Sequence, residues 1–194
     1  MKIRVSLLLL VFTSAFFLSN CKKGEENPII SFRSRKERLA GDWSLKSGNA
    51  ALTKAPYNQN FSFTSTKLEC NQTESGGPAI IYVGSYSLIF SVKKDGTFNF
   101  RENLGGSLLE GSGRWNFKVR SKDSKNKEEV TFTIDETTKG NIDEHVFNQL
   151  QKTFTYRLVE LRNKDLQIEA LDKSFTFSNG VNVNFSSRYT LMQR

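Results

Sequence analysis

Side chains that do chemistry are few in this 194-residue chain, and their spacing says what they are for. There is one histidine, His145, in Asp143-Glu144-His145. A lone imidazole in so polar a patch reads as solvated, which sets aside His-based triads and multi-histidine metal sites. Cys70 lies between Glu69 and Glu74, with no cation or imidazole beside it to stabilise a thiolate. It reads as a small half-buried side chain near a strand end. Asp135-Glu136 could serve hydrolysis or hold calcium, but a surface turn at a strand end accounts for the pair. Gly105-Gly106 and Gly111-Ser112-Gly113 read as loops with no helix behind them, so they make no phosphate cradle. CxxC, Walker-type and G-x-S-x-G patterns are absent from the sequence. The expectation is a protein without catalysis and without cofactors or metals.

Cys21 is the exception. Lys2 and Arg4 open the chain, Val5 to Leu18 is an apolar run, and Leu18-Ser19-Asn20-Cys21 closes it. That order is a bacterial lipoprotein signal peptide with Cys21 as the lipidated residue. The apolar run is shorter than the roughly 20 residues a spanning helix needs. Asn20 departs from the Gly, Ala or Ser usual before the Cys. Residues 1–20 are expected to be removed, and 21–34 to form the lipidated Cys and a tether that includes Lys22-Lys23-Gly24-Glu25-Glu26-Asn27-Pro28. Residues 35–194 then form one domain. Lys2 and Arg4 leave with the signal, so the net charge of +8 falls to +6. Basic and acidic residues are interspersed, as in Lys122 to Glu129, which marks a solvated surface. Expected partners are a membrane, through lipid on Cys21, and not nucleic acid. The location is the cell envelope, at the outer membrane, on its periplasmic or its outer side. With Cys21 acylated, Cys70 has no disulfide partner within the chain.

The elements behind these residues are mostly strands. Ser34-Arg35-Lys36-Glu37 has capping-box spacing and predicts a helical turn from Arg35 to Ala40, ended by Gly41. Beyond it, apolar residues alternate with polar ones: Phe61 and Phe63; Tyr86, Leu88, Phe90 and Val92; Phe98 and Phe100; Trp115, Phe117 and Val119; Val130, Phe132 and Ile134. Period-two alternation places one face on a core and the other in water. Lys93-Lys94-Asp95-Gly96 predicts a tight hairpin, and Asn163-Lys164-Asp165 and Asn179-Gly180 predict further turns. Longer loops are expected at Asn71–Pro78, Asn103–Gly111 and Ser121–Lys127. Ile142 to Gln151 has helix-like apolar spacing. The fold class is all-β, an antiparallel up-and-down barrel of about eight strands. A sandwich competes, but usually needs longer crossovers. In an outer-membrane barrel the apolar face would point to lipid, and the chain ends Met192-Gln193-Arg194 without the terminal aromatic usual there.

At Gly41-Asp42-Trp43 the chain resembles the lipocalins and, more closely, the lipocalin-like domains of Bacteroidota envelope lipoproteins. The lead-in Ile30 to Leu39 before G-x-W and the terminal stretch Ser187-Arg188-Tyr189-Thr190-Leu191 stand in the matching order. The T-D-Y motif of typical lipocalins is missing. The resemblance implies that Trp43 closes the barrel floor and that Arg188 stacks on it by cation–π contact.

Two functions fit such a barrel. One is a monomeric binding module for a small apolar ligand, with Phe63, Tyr86, Phe90, Phe98, Trp115, Phe117, Phe132 and Tyr156 lining the interior. The other is an envelope scaffold or surface interaction protein, its barrel filled by side chains and its loops docking a protein or glycan. The interior decides between them.

Overall fold

The computed structural model describes residues 34–54, 57–74, 77–118, 128–140, 151–162, 164–176 and 182–194. The signal, the tether before Ser34, His145 and the 142–150 part of the helix-like segment lie outside these residues.

A short helix, α1 (Arg35–Leu39), opens the domain. Ser34 caps it: the Glu37 amide donates to Ser34 Oγ at 3.2 Å, and the Ser34 amide donates to Glu37 Oε2 at 2.8 Å. The carboxylate also stands in the first turn, where the helix dipole favours it. The helix ends on Ala40 in extended conformation, and not through a left-handed Gly41. Gly41 has already entered the first strand.

Ten strands follow among the described residues, and not about eight: β1 (Gly41–Lys54), β2 (Tyr57–Thr64), β3 (Lys67–Glu74), β4 (Gly77–Val92), β5 (Thr97–Leu104), β6 (Ser107–Phe117), β7 (Glu128–Lys139), β8 (Thr153–Leu161), β9 (Asp165–Thr176) and β10 (Asn182–Gln193). Each pairs antiparallel with the next, and β10 pairs with β1 to close the barrel. The additional strands have a definite place. Gly41–Ser44 of β1 pairs with β4, whereas Ser47–Lys54 pairs with β2. The β2–β3 hairpin is therefore wedged between β1 and β4 from one end only. At the α1 end the ring closes without it, so the barrel is narrow there and wide at the other end.

Two expected loops are partly strand. Asn71–Glu74 and Gly77–Pro78 extend β3 and β4, and Ser107–Gly111 belongs to β6. Gly111 and Gly113 face the interior of β6. A Cβ on Gly111 would lie 2.7 Å from the Phe100 ring, and one on Gly113 would lie 2.9 Å from the Phe98 ring and 2.0 Å from the Thr133 carbonyl oxygen. These glycines are gaps into which the β5 aromatics fold. The Asp95-Gly96 turn stands as expected, with Gly96 at φ 97° and Asp95 Oδ1 accepting from the Thr97 amide at 2.9 Å.

Among the described residues the apolar face points mostly inward, with Ile81, Val83 and Met192 the exposed large hydrophobics. Trp43, Phe98, Val130, Tyr156, Tyr189 and Leu191 are among the fully buried residues. The wall carries cross-strand ion pairs instead, such as Arg114–Asp135 at 2.8 Å and Lys118–Glu129 at 2.8 Å. This is the reverse of a lipid-spanning barrel. Helix α1 stoppers the narrow end. Leu39 is buried, Arg38 Nη1 donates to the Leu161 carbonyl at 2.7 Å, and Lys36 lies 5.9 Å above the Trp115 ring.

Candidate functional site

The interior comes first, because the aromatics expected there converge. Phe63, Tyr86, Phe90, Phe98, Phe132 and Tyr156 are all buried. Their rings meet across the lumen as well as along the wall. Phe90 on β4 meets Phe132 on β7 edge-on at 4.9 Å, although β5 and β6 separate those strands. Phe98 reaches Phe132 at 5.3 Å, and Phe132 stacks on Phe154 at 5.5 Å. Phe63 on β2 meets Tyr189 on β10 at 5.5 Å, and Tyr189 meets Tyr156 on β8 at 6.1 Å. The contacts have the edge-to-face and offset geometries that aromatic quadrupoles prefer. Trp115 and Phe117 stand lower. Trp115 sits beneath Lys36 with its Nε1 donating to the Lys93 carbonyl at 2.9 Å, and the half-buried Phe117 meets it edge-on at 5.5 Å.

Trp43 is fully buried, and its Nε1 donates to the Leu39 carbonyl at 2.9 Å. That bond ties the floor of the barrel to α1. Arg188 does not stack on it. Trp43 stands opposite Gln193, while Arg188 stands opposite Asn49, well up the barrel. Alternation explains the difference: Val183, Phe185, Tyr189 and Leu191 take the inward positions of β10, so Arg188 faces out. The same pattern was present in the sequence and would have placed Tyr189 in the lining set.

Sequence reasoning also missed a polar cluster inside the core. Glu102 follows Phe98 and Phe100 on the inward face of β5 and is 1% exposed. The Tyr86 hydroxyl donates to Glu102 Oε1 at 2.5 Å. Burial pushes the Tyr86 phenol well above its ordinary range, and the Glu102 carboxylate and the neighbouring tyrosines push it further. The Tyr189 phenol is raised as well, by burial first and then by Tyr156 and Glu102. Both stay protonated, and the Tyr86 hydroxyl donates to Glu102, which locks its ring. A polar residue at an inward position of an alternating strand was the available signal.

The remaining candidates separate. Cys70 is buried, and desolvation raises its thiol. Asp135 and Glu136 stand in mid-strand, and not in a turn, because β7 runs on to Lys139. Asp135 is held by Arg114, which donates from Nε and Nη2 at 2.8 Å each and lowers the carboxyl below its usual range.

A depression lies on the outer wall, over β9, β10, β1, β2 and β3, with a volume of about 530 Å³. Its floor is recessed because the outward side chains there are short: Ala51, Ser62 and Ser186, with Asn49, Asn60 and Asn71 around them. Arg188 and Glu169 stand at its β10–β9 side. Glu169 is 7% exposed, is ion-paired with Arg157, and lies 3.5 Å from Arg188 Nη2. Register aligns Arg157, Glu169, Arg188, Asn49 and Ser62 in one row across the wall.

No family model, curated protein or solved structure matches this chain.

Proposed function

We propose that this chain is a lipid-anchored envelope lipoprotein of the lipocalin-like kind, and that its barrel is a non-catalytic interaction module that presents its surface and loops to a protein or glycan. The observation that carries this is the contact of Phe90 on β4 with Phe132 on β7, at 4.9 Å, between strands that β5 and β6 separate. Rings that touch across a lumen occupy the space an enclosed apolar ligand would need. The anchor rests on Cys21 and its apolar approach. A polar wall agrees with it, because the barrel then needs no bilayer contact of its own. Several acyl chains on Cys21 hold stably where one is marginal.

A second reading has an observation behind it. Leu52, Phe61, Tyr82 and Leu104 are only half-buried, and all stand toward the wide end. They form an apolar mouth that suits a small apolar ligand seated above the packed rings. Native mass spectrometry of the full chain, released from its host membrane, separates the two. The mass of protein plus lipid alone is expected; a stoichiometric apolar small molecule overturns the interaction reading. Fatty-acid labelling tests the anchor: label in the wild type that disappears in Cys21→Ala is expected, and an unlabelled wild type rejects it.

A further inference from the structure

We propose that the outer-wall depression over β9–β10–β1–β2–β3 is a binding groove for a hydroxyl-rich, carboxylate-bearing glycan, a uronate-containing sugar chain. This deepens the interaction reading and rests on it.

Size is the first argument. About 530 Å³ falls inside the range of roughly 300–1,000 Å³ for small-ligand sites. Lining is the second. Asn49, Asn60 and Asn71 carry amides that both donate and accept, and Ser62 and Ser186 carry hydroxyls. Paired donors and acceptors match neighbouring sugar hydroxyls. Ala50, Ala51, Phe61 and Ala170 line it as well, so an apolar floor lies among these polar groups, which suits the C–H faces of a sugar ring.

Charge is the third. Two guanidiniums, Arg157 and Arg188, share Glu169. Glu169 is 7% exposed beneath them, while the Arg188 side chain is 58% exposed at the groove's rim. The local excess is one positive charge on a planar fork that suits a carboxylate. At the β3 side stands Glu69, paired with Lys67 at 3.3 Å and accepting from Asn71 Nδ2 at 3.4 Å. Polar groups therefore stand at both sides of the groove. A uronate carboxylate belongs at the Arg188 side, and neutral hydroxyls belong toward Asn60 and Asn71. A peptide adding as a strand is disfavoured, because β1, β2 and β10 are paired on both edges here.

The test uses the full chain in detergent and isothermal titration calorimetry. Trigalacturonate is the probe, with neutral galactotriose and hexaglutamate for comparison. Saturable binding of trigalacturonate is expected, weakened at least tenfold in Arg188→Gln and in Ser62→Leu, which fills the floor. Arg114→Gln, on another part of the wall, should leave it unchanged. Circular dichroism confirms that each variant is folded. No saturable trigalacturonate binding, equal affinity for hexaglutamate, or equal weakening in Arg114→Gln overturns the groove. Tighter binding of galactotriose overturns the role of Arg188. None of these outcomes bears on the filled interior, which the co-purified ligand mass tests by itself.

Discussion

Phe132→Ala is the sharpest test of a filled barrel. Phe132 is 2% exposed and meets three rings: Phe90 at 4.9 Å, Phe98 at 5.3 Å and Phe154 at 5.5 Å. Truncating a buried Phe costs about 3–5 kcal/mol. Aromatic pairs contribute roughly 0.5–1.5 kcal/mol each beyond area burial, so three lost partners place this site near the upper end, at about 5 kcal/mol. For a domain of this length each kcal/mol lowers Tm by about 2–4 °C, which gives a fall of roughly 10–20 °C. Phe132→Leu keeps most of the volume and should cost only about 1.5 kcal/mol. Urea unfolding of wild type and both variants measures the difference as a shift in midpoint at constant slope. Crystals under xenon give an independent reading: Phe132→Ala should take up gas at the vacated ring, and wild type should not. A loss below about 2 kcal/mol, or xenon in the wild-type lumen beside Phe132, would refute the argument, because either means that the ring faces empty space.

Four further outcomes follow from the packing and the helix cap. Tyr86→Phe removes the donor to buried Glu102 and should cost about 1–3 kcal/mol by urea unfolding; a neutral variant would mean that the bond contributes nothing. The raised Tyr86 and Tyr189 phenols favour the folded state below the ordinary tyrosine pKa, and that contribution fades as pH rises above it. Alkaline spectrophotometric titration should therefore show these two phenols ionising only as the protein unfolds, and a single ordinary transition for all tyrosines would contradict it. Glu37 is lowered by the Ser34 amide, the Ser34 hydroxyl and Lys94, so its contribution is present at neutral pH and is lost as pH falls below the normal glutamate range. Glu37→Gln should lessen the acid-induced drop in urea midpoint, and an unchanged acid slope counts against the capping box. Gly113→Ala should destabilise by roughly 1–3 kcal/mol, since its methyl would meet the Thr133 carbonyl oxygen at 2.0 Å; a change within 0.5 kcal/mol of zero would show that β6 yields freely.

The alternation of Tyr86, Leu88 and Phe90, or of Phe98 and Phe100, made the inward face legible, because a strand's side-chain period is a local property. The Ser34 cap and the Asp95-Gly96 turn were legible for the same reason: each is satisfied within a few residues. Partner choice was not. Nothing local tells β1 to leave β4 for β2 after Ser44, so the wedge of β2 and β3 and the count of ten strands come from long-range pairing. Asn71–Glu74 and Gly111–Gly113 read as loops from their composition, yet they sit in ladders because neighbouring strands and the Phe98 and Phe100 rings supply the context. Arg188 was misplaced by family resemblance over alternation, and the alternation was right.

An inward position in this barrel is committed to packing: a ring, a small aliphatic, a glycine that admits a neighbour's ring, or a polar group tied down as Glu102 is. Such positions tolerate little change, since even a methyl on Gly113 collides. Outward positions carry no such constraint, and most hold ordinary charged or polar residues in cross-strand pairs that contribute little to stability. The run of short side chains at Ala51, Ser62 and Ser186, with Arg188 and a buried Glu169 beside them, departs from that pattern. Stability does not require short polar residues on an exposed face, nor a carboxylate sunk beneath two guanidiniums. Under the proposed function, a barrel that gives its interior to packing is left its outer face for recognition, and this groove is a shaped part of that face.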